Sequence, residues 1–265
     1  MAGVNERGGA TGEATGPGGH GGGHGGGRDP RTAQIAGNLD AVRKRIATAC
    51  AAAGREPDEV TLIAVTKTFP ARDVRRLASL GVTEVAENRD QEARAKTAEL
   101  ADLTALRWHF VGRLQRNKVN HVAGYADVVH AVDRPELITA LAAAASRVRQ
   151  RPLDALVQVN LDTDPEETAR RGGAAPEQVP ALADQVAAAP ALRLAGLMAV
   201  APLGADPEPA FARLAELAAR LRADHPAAGM LSAGMSTDLE AAIRHGATHV
   251  RVGTALLGGR TRPVR

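Results

Sequence analysis

Eight short strand-like runs alternate with amphipathic segments along this chain, and that alternation constrains the fold more than any other feature. The runs are 60–66, 83–86, 107–111, 127–131, 153–160, 193–200, 229–232 and 248–252. Helical patterns lie between them near 71–80, 89–103, 115–122, 134–149, 176–188, 207–223 and 237–245. In 207–223, for example, Phe211, Leu214, Leu217, Ala218 and Leu221 fall on one face. One further helix precedes them all: Ile35, Leu39, Val42, Ile46 and Cys50 recur at helical spacing, and Gly54 closes the segment. Strands joined by helix-length crossovers pair in parallel, and eight of them close on themselves. The expected fold is therefore α/β, a single (β/α)8 TIM-type barrel with an extra N-terminal helix.

Of the 265 residues, the first 28 stand apart from that pattern. Gly8–Gly27 is dominated by glycine and buries too little apolar surface to offset the entropy of ordering it, so a disordered tail is expected over 1–28 and the barrel domain over 29–265. His20 and His24 in that tail are two flexible ligands at most, a poor basis for a metal site. The tail lacks the continuous apolar run of a signal peptide, and no later stretch is apolar for long enough to cross a bilayer. A single cysteine, Cys50, excludes an internal disulfide and fits a reducing cytoplasm. The net charge is +3, and only one Trp, one Tyr and three Phe occur, so the interleaved basic and aromatic clusters of a nucleic-acid surface are missing. The chain ends a few residues after its last glycines, so little room for a C-terminal domain is expected.

Chemistry in such a barrel belongs at the C-terminal strand ends. Lys67 lies at the end of Val60-Thr61-Leu62-Ile63-Ala64-Val65-Thr66-Lys67-Thr68, a strand apolar on both faces. A lysine in that position either snorkels to solvent or is held neutral enough to act as a nucleophile and form Schiff bases. After the seventh strand comes Ser232-Ala233-Gly234-Met235-Ser236-Thr237-Asp238-Leu239-Glu240, where Thr237 and Glu240 have capping-box spacing. The amides of a helix start, with the Ser236 hydroxyl, suit a phosphate, though an ordinary cap reads the same way. After the eighth strand, Gly253 and Thr254 can reach the same place, and Arg251 shares a face with Gly253. A buried arginine needs a ligand or a carboxylate. Asn88, after the second strand, either bonds a ligand or caps the next helix. His109 reads as a satisfied core residue, and Glu87 and Arg89 as partners of each other or of neighbours.

Taken in order, Ala64-Val65-Thr66-Lys67-Thr68, Glu87-Asn88-Arg89 with Gln91-Glu92, Trp108-His109-Phe110-Val111-Gly112 with Leu114-Gln115 and Asn117-Lys118, Gly196-Leu197-Met198, Gly234-Met235-Ser236 and Arg251-Val252-Gly253-Thr254 resemble the pyridoxal phosphate homeostasis protein family over nearly all of 31–260. That family is similar to the N-terminal barrel domain of bacterial alanine racemase. The resemblance implies that Lys67 forms a Schiff base with pyridoxal 5′-phosphate (PLP), that Ser236, Gly253 and Thr254 hold the phosphate, and that Arg251 lies against the pyridine nitrogen. It also implies that Asn88 and Met235 line the pocket. Two positions depart from the family pattern: Ala86 stands where a glycine commonly precedes the Glu-Asn pair, and Phe69 where a basic residue is common.

Arginine only donates and stays charged, so an arginine at the ring nitrogen leaves that nitrogen unprotonated and the cofactor a weak electron sink. Racemisation further needs an acid/base group on each face of the substrate. A related racemase takes the second from another domain, and the sole tyrosine, Tyr125, falls before the fourth strand, at the wrong end of the barrel. The implied role is thus a non-catalytic, cytoplasmic, monomeric carrier in PLP homeostasis, with PLP-dependent apo-enzymes as recipients and no nucleic-acid or membrane partner. The competing readings are a PLP-dependent amino-acid racemase and a cofactor-free Schiff-base aldolase using Lys67.

Overall fold

The computed structural model describes residues 29–259 apart from 163–165 and 167–170. The expected disordered tail, with His20 and His24, lies outside the described residues.

Eight strands form a closed, all-parallel barrel in sequence order: β1 (Thr61–Val65), β2 (Glu84–Glu87), β3 (Arg107–Phe110), β4 (Val128–Val132), β5 (Leu153–Val159), β6 (Leu192–Ala199), β7 (Met230–Ser232) and β8 (His249–Val252). β8 returns to β1 with Ile63 opposite Arg251, which closes the ring. Each strand matches a sequence run to within a residue or two. The departures from regular pairing are register shifts between β4 and β5 and between β5 and β6. β2 passes through Ala86 in register with Val65 and His109, so the missing glycine does not disturb the strand.

Around the barrel lie α2 (Ala71–Ser79), α3 (Asp90–Glu99), α4 (Val119–Tyr125), α5 (Pro135–Val148), α6 (Val179–Ala187), α7 (Glu208–Asp224), α8 (Leu239–Arg244) and α9 (Thr254–Leu257), preceded by α1 (Pro30–Ala52). α1 starts where Asp29 accepts the Arg31 amide at 3.0 Å with Pro30 in its first turn, and it stops before Gly54, at φ 65°. Its buried face, Ile35, Leu39, Val42, Ile46, Ala49 and Cys50, packs on α8 and α9. Cys50 is fully buried and burial pushes its thiol pKa up, as fits a core residue. The apolar core is the layer between strands and helices, typified by Leu39, Val74, Val85, Leu141, Phe211 and Leu214.

The barrel interior is different. Val128, Leu156, Ala195 and Met198 form only a small apolar cluster there. Buried polar groups fill much of the remainder, among them His109, His130, Asp154, Ser232 and Arg251. A TIM barrel normally packs its interior with branched aliphatic side chains. This one is lined in large part by polar side chains.

Candidate functional site

The residues singled out in the sequence converge on one end of the barrel. Lys67 follows β1 by two residues, Asn88 follows β2, Met235 and Ser236 follow β7, Arg251 is within β8, Gly253 follows it and Thr254 opens α9. All are at C-terminal strand ends, where parallel strands leave a crevice between their loops. The loops after β7 and β8 are neighbours, and the Arg251 amide donates to the Gly234 carbonyl at 2.9 Å. Gly253 lies against β1: a Cβ there would stand 3.1 Å from the Val65 carbonyl oxygen. The β8 loop is thereby held beside the strand that leads into Lys67.

Arg251 is 5% exposed and has no carboxylate within ion-pairing distance among the described residues. One amino nitrogen donates to the Ser232 hydroxyl at 2.7 Å and the other to the Ala199 carbonyl at 2.9 Å. Burial pushes its pKa down to about 10, so it stays cationic at neutral pH. A guanidinium has five N–H donors, and these two bonds leave donor capacity over. Of the two conditions that justify a buried arginine, a directly paired carboxylate is not met among the described residues; Asp238 acts on the guanidinium only through space.

Asn88 gives a second sign. The N-cap of α3 is Arg89, with no side-chain capping bond, so the capping alternative for Asn88 is not realised. Its Oδ1 is buried without a partner. Gly112, after β3, packs directly on the Asn88 backbone: a Cβ there would lie 2.2 Å from the Asn88 carbonyl oxygen.

The loop after β7 departs from expectation. Helix α8 begins at Leu239, with Asp238 as N-cap and no side-chain capping bond. The Thr237–Glu240 capping box does not form, because Glu240 instead makes a two-pronged ion pair with Arg45 of α1, at 2.7 and 2.9 Å. Asp238 folds back to accept the Met235 amide at 2.6 Å. Gly234, at φ 88°, makes the turn that this requires.

Glu87 and Arg89 pair with neighbours, as read, but the Glu87 partner is buried Lys96 at 2.5 Å. Burial nonetheless pushes the Glu87 carboxyl up against the pull of Lys96. His109 is buried, yet it belongs to a polar chain that the sequence did not reveal. Its Nε2 bonds the Glu84 carboxylate, and its Nδ1 lies 2.8 Å from His130 Nε2. Burial raises the Glu84 carboxyl, but the His109 bond outweighs that and holds it below the usual range. Burial lowers both histidines, so the imidazoles are neutral. An acceptor on Nε2 leaves the His109 Nδ1 lone pair to accept from His130. His130 Nδ1 then remains a buried acceptor without a partner. Among the described residues, no group of three or more His, Cys, Asp or Glu could hold a metal ion, and no helix is long and apolar enough to cross a membrane.

Tyr125 ends α4, just before β4 and thus at the N-terminal side of that strand. Burial pushes its hydroxyl well above the ordinary phenol range. A phenol so placed is a poor proton donor or acceptor for a site on the opposite rim.

Comparison with known proteins accords with this geometry. The family model for the alanine racemase N-terminal domain matches residues 37–261. Pyridoxal phosphate homeostasis proteins of Mycobacterium tuberculosis and Pseudomonas aeruginosa are 46% and 45% identical, over 87% and 85% of this chain and 94% and 96% of theirs. Among solved structures, PipY of Synechococcus elongatus with PLP bound is 36% identical, with a TM-score of 0.74 over 85% of this chain and all of that one. Alanine racemase of Corynebacterium glutamicum shares the fold, at 16% identity and TM-score 0.59, and the match covers 62% of its length. The chain belongs to the pyridoxal phosphate homeostasis protein family, built on the alanine racemase N-terminal barrel.

Proposed function

We propose that this protein binds PLP, holds it as a Schiff base on Lys67, and buffers or delivers it in the cytoplasm without catalysing a reaction of its own. The observation that carries this reading is Arg251, a buried cation with no carboxylate in ion-pairing distance among the described residues, aligned with Ile63 of the strand that leads into Lys67. A PLP-bound relative at 36% identity supports the same ligand.

The residues present fit the cofactor. Arg251 would face the ring nitrogen, Ser236, Gly253 and Thr254 would take the phosphate, and Asn88 and Met235 would line the pocket. Bound PLP supplies an aldehyde and, where its ring nitrogen is protonated, an electron sink. Arg251 donates and cannot lend a proton at neutral pH, so it holds that nitrogen as an acceptor. Tyr125 is on the wrong side and its hydroxyl is buried, so it does not furnish the second acid/base group that racemisation requires. These features favour a carrier, with apo-enzymes as recipients, over a racemase.

The test is solvent deuterium exchange at the α-carbon of free amino acids, measured with the PLP-loaded protein. Exchange no faster than with free PLP supports the carrier. Saturable, stereoselective exchange would establish a racemase-type enzyme instead.

A further inference from the structure

Both residues that flank Lys67 are gripped from the same helix. On one side, the Thr66 carbonyl accepts Lys96 Nζ at 2.7 Å, and the Thr66 hydroxyl donates to Glu87 Oε1 at 2.6 Å. Lys96 also donates to Glu87 Oε1, at 2.5 Å, so Thr66, Glu87 and Lys96 form one closed, buried triad. On the other side, the Thr68 amide donates to Glu92 Oε2 at 2.9 Å, and Arg89 steadies the Glu92 carboxylate at 3.1 Å. Glu92 and Lys96 are one turn apart on α3, on a common face.

What they hold is strained. The Phe69 amide donates to the Thr66 carbonyl at 3.1 Å, which makes residues 66–69 a tight turn with Lys67 and Thr68 at its two central positions. Thr68 has φ 70°, the only positive φ outside glycine among the described residues. That position of such a turn normally takes glycine, and a β-branched residue there is an outlier that persists only where its surroundings over-determine it.

We propose that Glu92 and Lys96 are positioning residues that set how the Lys67 amine is presented to PLP, by clamping the strained Thr66–Phe69 turn from α3. The proposal rests on the Schiff-base reading above. In that reaction the Lys67 amine exchanges two N–H bonds for a C=N bond to the aldehyde carbon, and the aldehyde oxygen leaves as water. The rate depends on where the turn aims the side chain. Glu92 and Lys96 need not touch the cofactor. Thr68 couples the clamp to the amine, because losing the Glu92 bond lets a β-branched residue relax out of the left-handed region and carries Lys67 with it.

The experiment compares wild type, Glu92→Ala, Thr68→Gly and the double variant, with Glu87→Gln/Lys96→Met made as a pair so that no buried charge is stranded. Two readouts separate presentation from pocket integrity. One is the rate of forming the borohydride-trappable PLP adduct; the other is affinity for pyridoxine 5′-phosphate, which has no aldehyde and reports the pocket alone. Glu92→Ala and the paired variant should slow the adduct on the order of tenfold or more, with pyridoxine 5′-phosphate affinity unchanged. In Thr68→Gly, glycine adopts φ 70° without strain, so removing Glu92 should cost much less rate. Unchanged adduct rates, a parallel fall in both readouts, or no rescue by Thr68→Gly would each overturn the proposal. A wild type that binds pyridoxine 5′-phosphate yet traps no adduct at Lys67 defeats the underlying Schiff-base reading itself.

Discussion

Arg251 donates to the Ser232 hydroxyl at 2.7 Å, and this buried bond ties the last strand to the one before it. With the Ala199 carbonyl as its second acceptor, the guanidinium is fixed by β6, β7 and β8 together. Replacing Arg251 with Met removes a charged donor from the proposed ring-nitrogen position. A hydrogen bond to a charged group contributes roughly 1.5–3 kcal/mol, so PLP affinity should fall roughly 10- to 100-fold. A spectrophotometric titration checks this. Affinity within twofold of wild type would remove Arg251 from the site.

Two glycines allow backbone contacts that no other residue permits, and they separate stability from binding. A Cβ at Gly196 would stand 1.9 Å from the Met230 carbonyl oxygen, with φ at 147°, while one at Gly112 would stand 2.2 Å from that of Asn88. Gly196→Ala and Gly112→Ala should each cost at least ~1–3 kcal/mol, the usual range for overpacking. Only Gly112→Ala should also weaken PLP binding, because its clash bears on Asn88. Denaturant unfolding and ligand titration on both variants give the comparison.

The Lys96–Glu87 pair makes a third prediction. Its side chains are 9% and 1% exposed, so removing one partner strands a buried charge. Lys96→Met alone should destabilise the fold by about 3–5 kcal/mol. Glu87→Gln together with Lys96→Met should cost clearly less, since neither charge remains. Equal losses in the single and double variants would mean that the pair is not electrostatically coupled.

Acid should weaken the fold through His249. Burial lowers its pKa from 6.5 to about 4, so the folded state favours the neutral ring. Between those two values the unfolded chain binds the proton and the folded one does not. Stability is therefore intact above pH 6.5 and is lost as pH falls toward about 4, by about 3 kcal/mol at most. His109 and His130, also lowered by burial, act in the same direction. Urea unfolding as a function of pH should show this slope, and His249→Gln should flatten it. A slope unaffected by that substitution would assign the acid response to other groups.

The fold was readable because short strand-like runs, the clearest being the β-branched Val60–Thr66, alternate with helix-period segments and are cut off by Gly, Pro or polar turns, which are local facts. The strand-end residues were equally readable, since Lys67, Asn88 and Arg251 inherit their position from the strands that carry them. What escaped notice depends on neighbours distant in sequence. The Glu84–His109–His130 chain exists because β2, β3 and β4 lie side by side. The Thr237–Glu240 cap fails because α1 delivers Arg45 to Glu240. Lys96 looks like a surface helix residue, yet it falls three after buried Ala93 and four before buried Leu100, on the inward stripe. That spacing was the available signal for the buried bonds of Lys96 to Thr66 and Glu87.

The central claim, a covalent bond between Lys67 and PLP, is tested most directly by borohydride reduction of the PLP-treated protein followed by peptide mass mapping, with Lys67→Ala in parallel. The expected result is a visible absorption band that reduction abolishes, the added mass on the peptide containing Lys67, and neither feature in the variant. A colourless wild type, or a label on some other lysine that survives in Lys67→Ala, would contradict it.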